Sequence, residues 1–339
     1  MKVDKIILSW TDSIGDVMLT LPLAGLLKKR FPGASILFLG KEYTRPVIQA
    51  CRHIDEFISV DEFDKEDARF REEGTVVIHV FPVKSIAYMA KRLHIPSRIG
   101  TRNRIYHWFT CNRLVRLSRR HSELHEAQLN IKLAAPLGIP VDLSLAEIVT
   151  LYGFENFQPL QPAFRDIIDK EKYNLILHPK SQGHAREWGI KNFATLADML
   201  DPGRYKIFIS GTENEKQAMQ PLIDELGSRV VDITGLMPLD QFISFIHACD
   251  GIVANSTGPL HIASAMGKDA IGIYPPMRPV HPGRWGPVGK KAIAFVAKKN
   301  CTDCRNKPLS CHCITEILPQ TVKDELDARS TKYEVRSTI

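Results

Sequence analysis

Short apolar runs alternate with amphipathic stretches along most of the chain, and the alternation occurs twice. In the first half, residues 5–10, 35–40, 56–60 and 75–81 read as strands. An amphipathic helix ending near Arg30, where Phe31-Pro32-Gly33 stops it, and helical patterns over 43–52 and 62–72 lie between them. The pattern loosens after residue 81, and a long helix over 122–137 closes the half. Residues 140–171, with Pro159, Pro162 and little helical periodicity, read as a connection. At Tyr173 the alternation restarts, with strands at 174–178, 205–210, 230–232, 251–254 and 270–274 and helices at 192–200, 213–226, 239–249 and 259–266. Strand–helix alternation implies a parallel sheet covered on both faces, so the expectation is an α/β protein of two doubly wound domains, residues 1–163 and 172–339, facing a central cleft. A length of 339 residues agrees, being too long for one typical core.

Composition, 44% hydrophobic and 24% charged, is that of a soluble globular chain. No apolar run approaches the roughly 20 residues that span a bilayer, and the start carries Lys2, Asp4 and Lys5 instead of a signal-peptide pattern, which places the chain in the cytoplasm. The charge, +7 overall, is unevenly spread. Between Gly74 and Ser122 there is no Asp or Glu, whereas Lys84, Lys91, Arg92 and seven arginines from Arg98 to Arg120 fall there. One face of the first half is therefore strongly positive, which suits nucleic acid, an anionic membrane surface or an acidic substrate. No nucleic-acid motif accompanies the charge, so nucleic acid is not expected as a partner. Of seven cysteines, Cys301, Cys304, Cys311 and Cys313 form a C-x2-C-x6-C-x-C cluster; metal or redox chemistry comes before structural disulfides for such a cluster in a cytosolic chain.

Ligands of doubly wound sheets sit beyond the carboxyl ends of the strands, and the candidate residues fall there. Asp16 lies in the turn after the first strand, where it is either a helix-start residue or a general base for a hydroxyl; Asp12 competes for that role. The loop His178 to Trp188, HPKSQGHAREW, sets Lys180, Ser181 and Arg186 after the first strand of the second half, as a solvated basic loop or as cations for a diphosphate. Glu215 begins a helix, as a dipole partner or a ribose ligand. Leu236 and Met237 follow a third strand, as core or as the flat support of a nucleobase. Ser256, Thr257 and Gly258 fall at a helix start that reads as an ordinary N-cap or as a phosphate site. The sequence has no D-x-D pair, no G-x-G-x-x-G and no P-loop.

Ser13-Ile14-Gly15-Asp16 with Leu21-Pro22, Arg98-Ile99-Gly100, His178-Pro179 with Arg186 and Trp188, Gly211 with Glu215, Thr234-Gly235, and Thr257-Gly258 with His261 together resemble glycosyltransferase family 9, the lipopolysaccharide heptosyltransferases. The resemblance spans nearly the whole chain. It implies a GT-B fold of two Rossmann-like domains, with the C-terminal helix near residues 322–329 returning to the first domain. It also implies inverting, metal-independent transfer of a sugar from a nucleotide diphosphate, usually ADP-heptose, to an acidic, lipid-linked inner-core acceptor, with no cofactor required. Asp16 would then be the base and Arg186 would stabilise the leaving diphosphate. Glu215 and Met237 would hold ribose and adenine, and Lys180, Ser181, Ser256, Thr257, Gly258 and His261 would line the donor site. Arg98, Arg102, Arg104 and Arg278 are the acceptor-side candidates. The basic segment, with Tyr106, Trp108 and Phe109, would touch the cytoplasmic face of the inner membrane, and the protein would be a monomer.

Two departures stand out. Ser256 occupies the position where the family commonly has Asp, and Pro275-Pro276-Met277-Arg278-Pro279 replaces a common G-x-T-D-P, so the donor sugar is open. Some family members carry several C-terminal cysteines; here the four could form a zinc knuckle, disulfides or a set of thiols. A nucleotide-sugar epimerase or hydrolase on the same scaffold, and a non-catalytic binding homologue, remain as alternatives.

Overall fold

In the computed structural model, residues 2–63, 68–119, 122–181, 183, 185–277, 280–297 and 311–333 are described. The chain divides into two units, Met1–Asn156 and Phe157–Ile339. The first contains β1 (Lys5–Ser9), α1 (Ile14–Met18), α2 (Leu21–Arg30), β2 (Ser35–Gly40), α3 (Arg45–Gln49), β3 (Glu56–Ser59), β4 (Thr75–His79), α4 (Lys84–Arg92), β5 (Ser97–Thr101), α5 (His107–Thr110), β6 (Arg113–Val115), α6 (Glu126–Ile131) and α7 (Leu145–Val149). Its strands form one sheet in the order β3-β2-β1-β4-β5-β6, with every pairing parallel. Strand β1 is flanked on both sides, Ile7 lying opposite Leu37 and Val77, and all three side chains are buried. That position explains its apolar run, because a central parallel strand is covered on both faces.

The second unit begins at α8 (Pro162–Arg165) and continues through β7 (Tyr173–His178), α9 (Ile190–Met199), β8 (Tyr205–Ile209), α10 (Lys216–Leu226), β9 (Val230–Asp232), α11 (Leu239–Ala248), β10 (Gly251–Asn255), α12 (Gly258–Ala265), β11 (Asp269–Tyr274), α13 (Pro282–Trp285) and β12 (Ala292–Val296) to a C-terminal helix, Pro319–Arg329. Its sheet runs β12-β11-β10-β7-β8-β9, again all parallel. The α/β class and the two doubly wound sheets thus agree with the alternation in sequence.

Several elements differ from expectation. The stretch up to Arg30 is two helices, broken at Leu19-Thr20: the Thr20 hydroxyl donates to the Asp16 carbonyl at 2.9 Å, and Pro22 starts the second helix. The charged stretch 62–72 forms only a 3-10 turn, Ala68–Phe70, among the described residues; Phe63 and Phe70 anchor it in the core with ring centroids 5.6 Å apart. The helix expected over 122–137 is α6 followed by a 3-10 segment, Lys132–Leu137, with Pro136 inside and Gly138 ending it at φ 72. The loosely patterned basic segment contributes α4, β5, α5 and β6, and β12 extends the second sheet.

Residues 157–163 belong to the second unit: Gln241 and Ser244 on α11 hold Gln158, Pro159 and Gln161 by hydrogen bonds of 2.6–3.2 Å. The C-terminal helix, expected to return to the first domain, packs on α9 of the second unit. It buries Val322 and Leu326 completely, at about 1.5–3 kcal/mol of apolar burial each. Among the described residues no helix is long and apolar enough to cross a membrane.

Candidate active site

In each sheet the strand order reverses between two central strands, β1 and β4 in the first and β7 and β10 in the second, and the loops leaving those strands flank the crevice where such folds bind ligands. In the second unit these are the loop 179–188 and the turn 256–258. Asn255, the fully buried last residue of β10, joins them: its Oδ1 accepts from the Trp188 amide at 2.9 Å and its Nδ2 donates to the Pro179 carbonyl at 2.7 Å. Glu187 organises the loop from within. Its carboxylate accepts from Lys180 Nζ at 2.5 Å, from the Ser181 amide at 3.1 Å and from the Ser181 hydroxyl at 3.0 Å. Trp188 is buried and donates its indole N–H to the Ile317 carbonyl at 2.7 Å, which locks the end of the loop onto the segment before the C-terminal helix. His178 shares a 2.9 Å hydrogen bond with Ser210, and burial lowers its pKa to about 4 against the pull of Glu215 and Glu187, so it is neutral near pH 7.

A cavity of 700 Å³ opens beside this loop, lined by Lys180, Arg186, Glu187, Glu215, Cys311 and His312 among others. Glu215 is buried and folds back on its own helix start: one oxygen accepts from the Thr212 amide and hydroxyl, both at 2.9 Å, in a capping box. Met237, Ser256, Thr257, Gly258 and His261 lie outside the cavity lining. Thr257 stands at the N-cap of α12, yet its hydroxyl donates to the Asn255 carbonyl at 3.2 Å and does not cap the helix. The first amides of α12 thus lack a side-chain cap from it, an arrangement that leaves them available to an anion. Ser256 hydrogen-bonds the buried Tyr274 hydroxyl, and His261 is buried within α12. Met237 is half-buried beside the exposed Leu236.

Cys311 and Cys313 have sulfurs 3.2 Å apart, beyond bonding distance, and Cys311 faces the cavity. Cys301, Cys304 and Arg278 lie outside the described residues. Among the described residues no group of three or more His, Cys, Asp or Glu is arranged to hold a metal ion.

At the carboxyl end of the first sheet, Asp16 sits half-buried in the first turn of α1, and the Ser13 hydroxyl donates to its Oδ2 at 2.6 Å. The competing Asp12 is exposed and accepts the Tyr43 hydroxyl through its backbone carbonyl at 3.0 Å. Burial first, and then the charges of Asp12 and Asp16, raise the Tyr43 pKa, which keeps that hydroxyl protonated. Behind them lies a buried polar cluster that the sequence reading did not anticipate. His79 and His107 stack at 5.6 Å; both nitrogens of His79, Nε2 of His107, Ser9 Oγ, Trp10 Nε1 and Thr101 Oγ1 have no hydrogen-bond partner among the described residues. Burial lowers the His79 pKa to about 3, with His107 and Arg98 adding to the effect.

Comparison with known proteins decides the family. Residues 75–315 match the family model described as glycosyltransferase family 9 (heptosyltransferase). The chain belongs to glycosyltransferase family 9. It is 24% identical over 302 residues to lipopolysaccharide heptosyltransferase 2 of Escherichia coli K12, covering 82% of this chain and 84% of that one. A family 9 glycosyltransferase from Veillonella parvula DSM 2008 superimposes with a TM-score of 0.79 at 20% identity, covering 98% of this chain and 99% of that chain. The E. coli ADP-heptose lps heptosyltransferase II does so with a TM-score of 0.73 at 20% identity, covering 98% and 100%. The GT-B fold class is therefore that of this family 9 glycosyltransferase too.

Two of its family-like motifs have structural explanations. Arg98, an acceptor-side candidate, donates to the carbonyls of Ile95 and Thr110, the latter at 2.6 Å, so it fastens β5 to α5. A Cβ at Gly100 would lie 2.7 Å from both Cys111 Sγ and His107 Nδ1, so the glycine makes room for the histidine cluster. Gly235 has φ +72, and a Cβ there would meet Glu213 Oε2 at 2.1 Å. Arg102 and Arg104, by contrast, are exposed.

Proposed function

We propose that this glycosyltransferase moves heptose from ADP-heptose onto a hydroxyl of an acidic lipopolysaccharide-core acceptor, with inversion at the anomeric carbon. The observation that carries the reading is the 700 Å³ cavity in which Lys180, Arg186 and Glu215 converge at the carboxyl end of the second sheet. Its size and its cations suit a nucleotide diphosphate. The donor and acceptor classes come from the descriptions of the E. coli relative, an ADP-heptose lps heptosyltransferase II.

On this reading Asp16 takes the proton of the acceptor hydroxyl while that oxygen attacks the anomeric carbon. The bond from carbon to diphosphate oxygen breaks, ADP leaves with the electron pair, and attack opposite the leaving group inverts the configuration. Ser13 orients the carboxylate for this task. Arg186 and the uncapped amides at Thr257 and Gly258 stabilise the negative charge that develops on the diphosphate, which requires no metal. Lys180 and Ser181 hold the loop beneath the phosphates, His261 supports the α12 turn, Glu215 meets the ribose and Met237 the adenine. Arg102 and Arg104 pair with acceptor carboxylates or phosphates. Ser256 stands where the family commonly has Asp, so the identity of the donor sugar is the first thing to measure.

Melting-temperature shifts with ADP-, GDP-, UDP- and CMP-sugars, followed by turnover with ADP-heptose and purified core acceptor, test the proposal. The expected result is the largest shift with ADP-heptose and transfer that requires acceptor. Release of free sugar or an epimer without acceptor would make the protein a hydrolase or epimerase, and donor binding without turnover across the panel would make it a binding homologue.

A further inference from the structure

Strands β1 and β2 leave the first sheet side by side, the Trp10 amide donating to the Leu39 carbonyl at 3.0 Å, so the loop that carries Asp12, Ser13 and Asp16 adjoins the 3-10 turn Glu42–Thr44. Helix α1 packs on α3, which continues from that turn. The turn is fixed from within: the buried Thr44 donates its amide, at 2.9 Å, and its hydroxyl, at 2.6 Å, to the Lys41 carbonyl. With Thr44 turned inward, Tyr43 is left 50% exposed. Its charged neighbours are engaged elsewhere. Glu42 and Arg45 share two hydrogen bonds, at 2.5 and 2.9 Å, and the Arg45 guanidinium lies 4.3 Å from the ring centroid of Phe57 on β3.

An exposed aromatic ring needs no explanation by itself, but this one is tethered. Its hydroxyl donates to the Asp12 carbonyl at 3.0 Å, a bond that spans the two loops and holds the ring beside the carboxylate loop. Asp12 and Asp16 both lie close enough for their charges to act on that hydroxyl. Its proton is spent on the carbonyl, so what the side chain still offers a ligand is its flat face. The surrounding charge narrows what that face can meet. With Glu42 neutralised by Arg45, the carboxylates of Asp12 and Asp16 outnumber Lys41, the one cation of residues 41–44. Carboxylates and phosphates of an acidic acceptor are repelled from such a corner.

We propose, on the reading of Asp16 as the general base, that Tyr43 is a stacking platform for the acceptor, its ring covering the C–H face of the sugar whose hydroxyl reaches Asp16. A pyranose ring presents uncharged C–H groups on one side, and a fixed aromatic face buries them without bringing a further charge near the carboxylates. The tether keeps the ring in place before the acceptor arrives, so little side-chain freedom is lost on binding. Recognition of the acceptor is then divided: the reacting ring is held by apolar contact at Tyr43, and its acidic groups by cations such as Arg102 and Arg104.

The test is calorimetric titration of the full-length protein with purified core acceptor in the absence of donor, together with steady-state turnover. Tyr43→Ala should raise the acceptor Kd and KM about tenfold and change kcat by no more than about twofold. Its melting temperature and its donor-induced melting shift should match the parent. Tyr43→Trp, which restores a flat face, should recover most of the affinity, and Tyr43→Leu, which restores apolar area without one, should not. Because the contact carries no charge, the loss in Tyr43→Ala should be the same at low and high salt, whereas that in Arg102→Ala should shrink as salt is raised. Parent values of Kd and KM in Tyr43→Ala, recovery in Tyr43→Leu equal to that in Tyr43→Trp, or a fall in kcat of about a hundredfold at unchanged KM would overturn the platform. A parent protein that binds no core acceptor would defeat the proposed function and the platform with it. Full activity in Asp16→Asn beside weakened acceptor binding in Tyr43→Ala would remove the base and leave the platform standing.

Discussion

At the carboxyl end of the second sheet most of the polar side chains hold the loops: Asn255 joins two of them, Glu187 holds Lys180 and Ser181, and Glu215 closes its own helix start, while Thr234 Oγ1 makes no hydrogen bond among the described residues. At the same end of the first sheet, Ser9, Trp10, His79 and Thr101 keep buried polar atoms with no hydrogen-bond partner among the described residues, and Ile105, Trp108 and Phe109 are exposed. The two sheets, alike in topology, therefore differ in how their polar side chains are used at this end. One is built rigid before its ligand arrives, which suits a nucleotide whose phosphates must be met by fixed cations and amides. The other gathers several buried polar atoms that make no hydrogen bond among the described residues.

The largest effect that would sharpen this comparison is on turnover. Asp16→Asn should lower kcat/KM by about 10²–10⁴-fold, the range of a lost general base, while leaving the donor-induced melting shift intact because the donor site belongs to the second unit. Retention of full activity would transfer the role to another group, Asp12 being the nearest in sequence.

Next comes stability of the second unit. Asn255→Ala strands the Trp188 amide and the Pro179 carbonyl, at about 3 kcal/mol in total, and should lower the urea midpoint without changing the m-value. A shift below a tenth of that size would show that the loop is held elsewhere and that the contrast between the two ends is false.

Acid should then separate the units. The folded pKa of His79, about 3, lies below its ordinary 6.5, so between those values the unfolded chain binds a proton that the folded chain refuses. Its contribution is fully present above pH 6.5 and is lost as pH falls through that window, at up to about 1.4 kcal/mol per pH unit. His79→Leu breaks no hydrogen bond and should flatten the acid limb of a stability–pH curve without weakening the protein at pH 7. His178 titrates with the same sign, lowered to about 4, but its replacement also loses the bond to Ser210 and should destabilise the protein at pH 7 as well.

The smallest effect concerns charge. Glu187→Gln keeps a side chain for Ser181 but removes the anion opposite Lys180, so donor Kd should fall by about 2–5-fold at low salt and return towards the parent value as salt is raised. A weaker donor affinity at all salt concentrations would mean that Glu187 matters for holding the loop more than for its charge.

The sequence by itself determined the parts of this protein that depend on neighbours along the chain. Apolar runs such as Ile6-Ile7-Leu8 and Leu175-Ile176-Leu177 could belong only to central strands, their alternation with amphipathic stretches implied two parallel sheets, and the order of motifs led to the family. Strands β5 and β6 escaped because Ser97-Arg98-Ile99-Gly100-Thr101 and Arg113-Leu114-Val115 carry arginines into the sheet, and pairing with neighbouring strands outweighs so weak a local signal. The C-terminal helix showed its apolar positions but not the surface they would meet. Only the tertiary structure decided which polar groups engage one another. Asn255 reaches Trp188 across 67 positions and Trp188 reaches Ile317 across 129, and no local periodicity encodes such partners. The same holds for Arg98, whose charge in the sequence pointed to an acceptor while its hydrogen bonds fasten β5 to α5. Periodicity reports which face of an element is buried; the choice between a side chain that holds the scaffold and one that meets a ligand is made by distances between loops that are far apart in the chain.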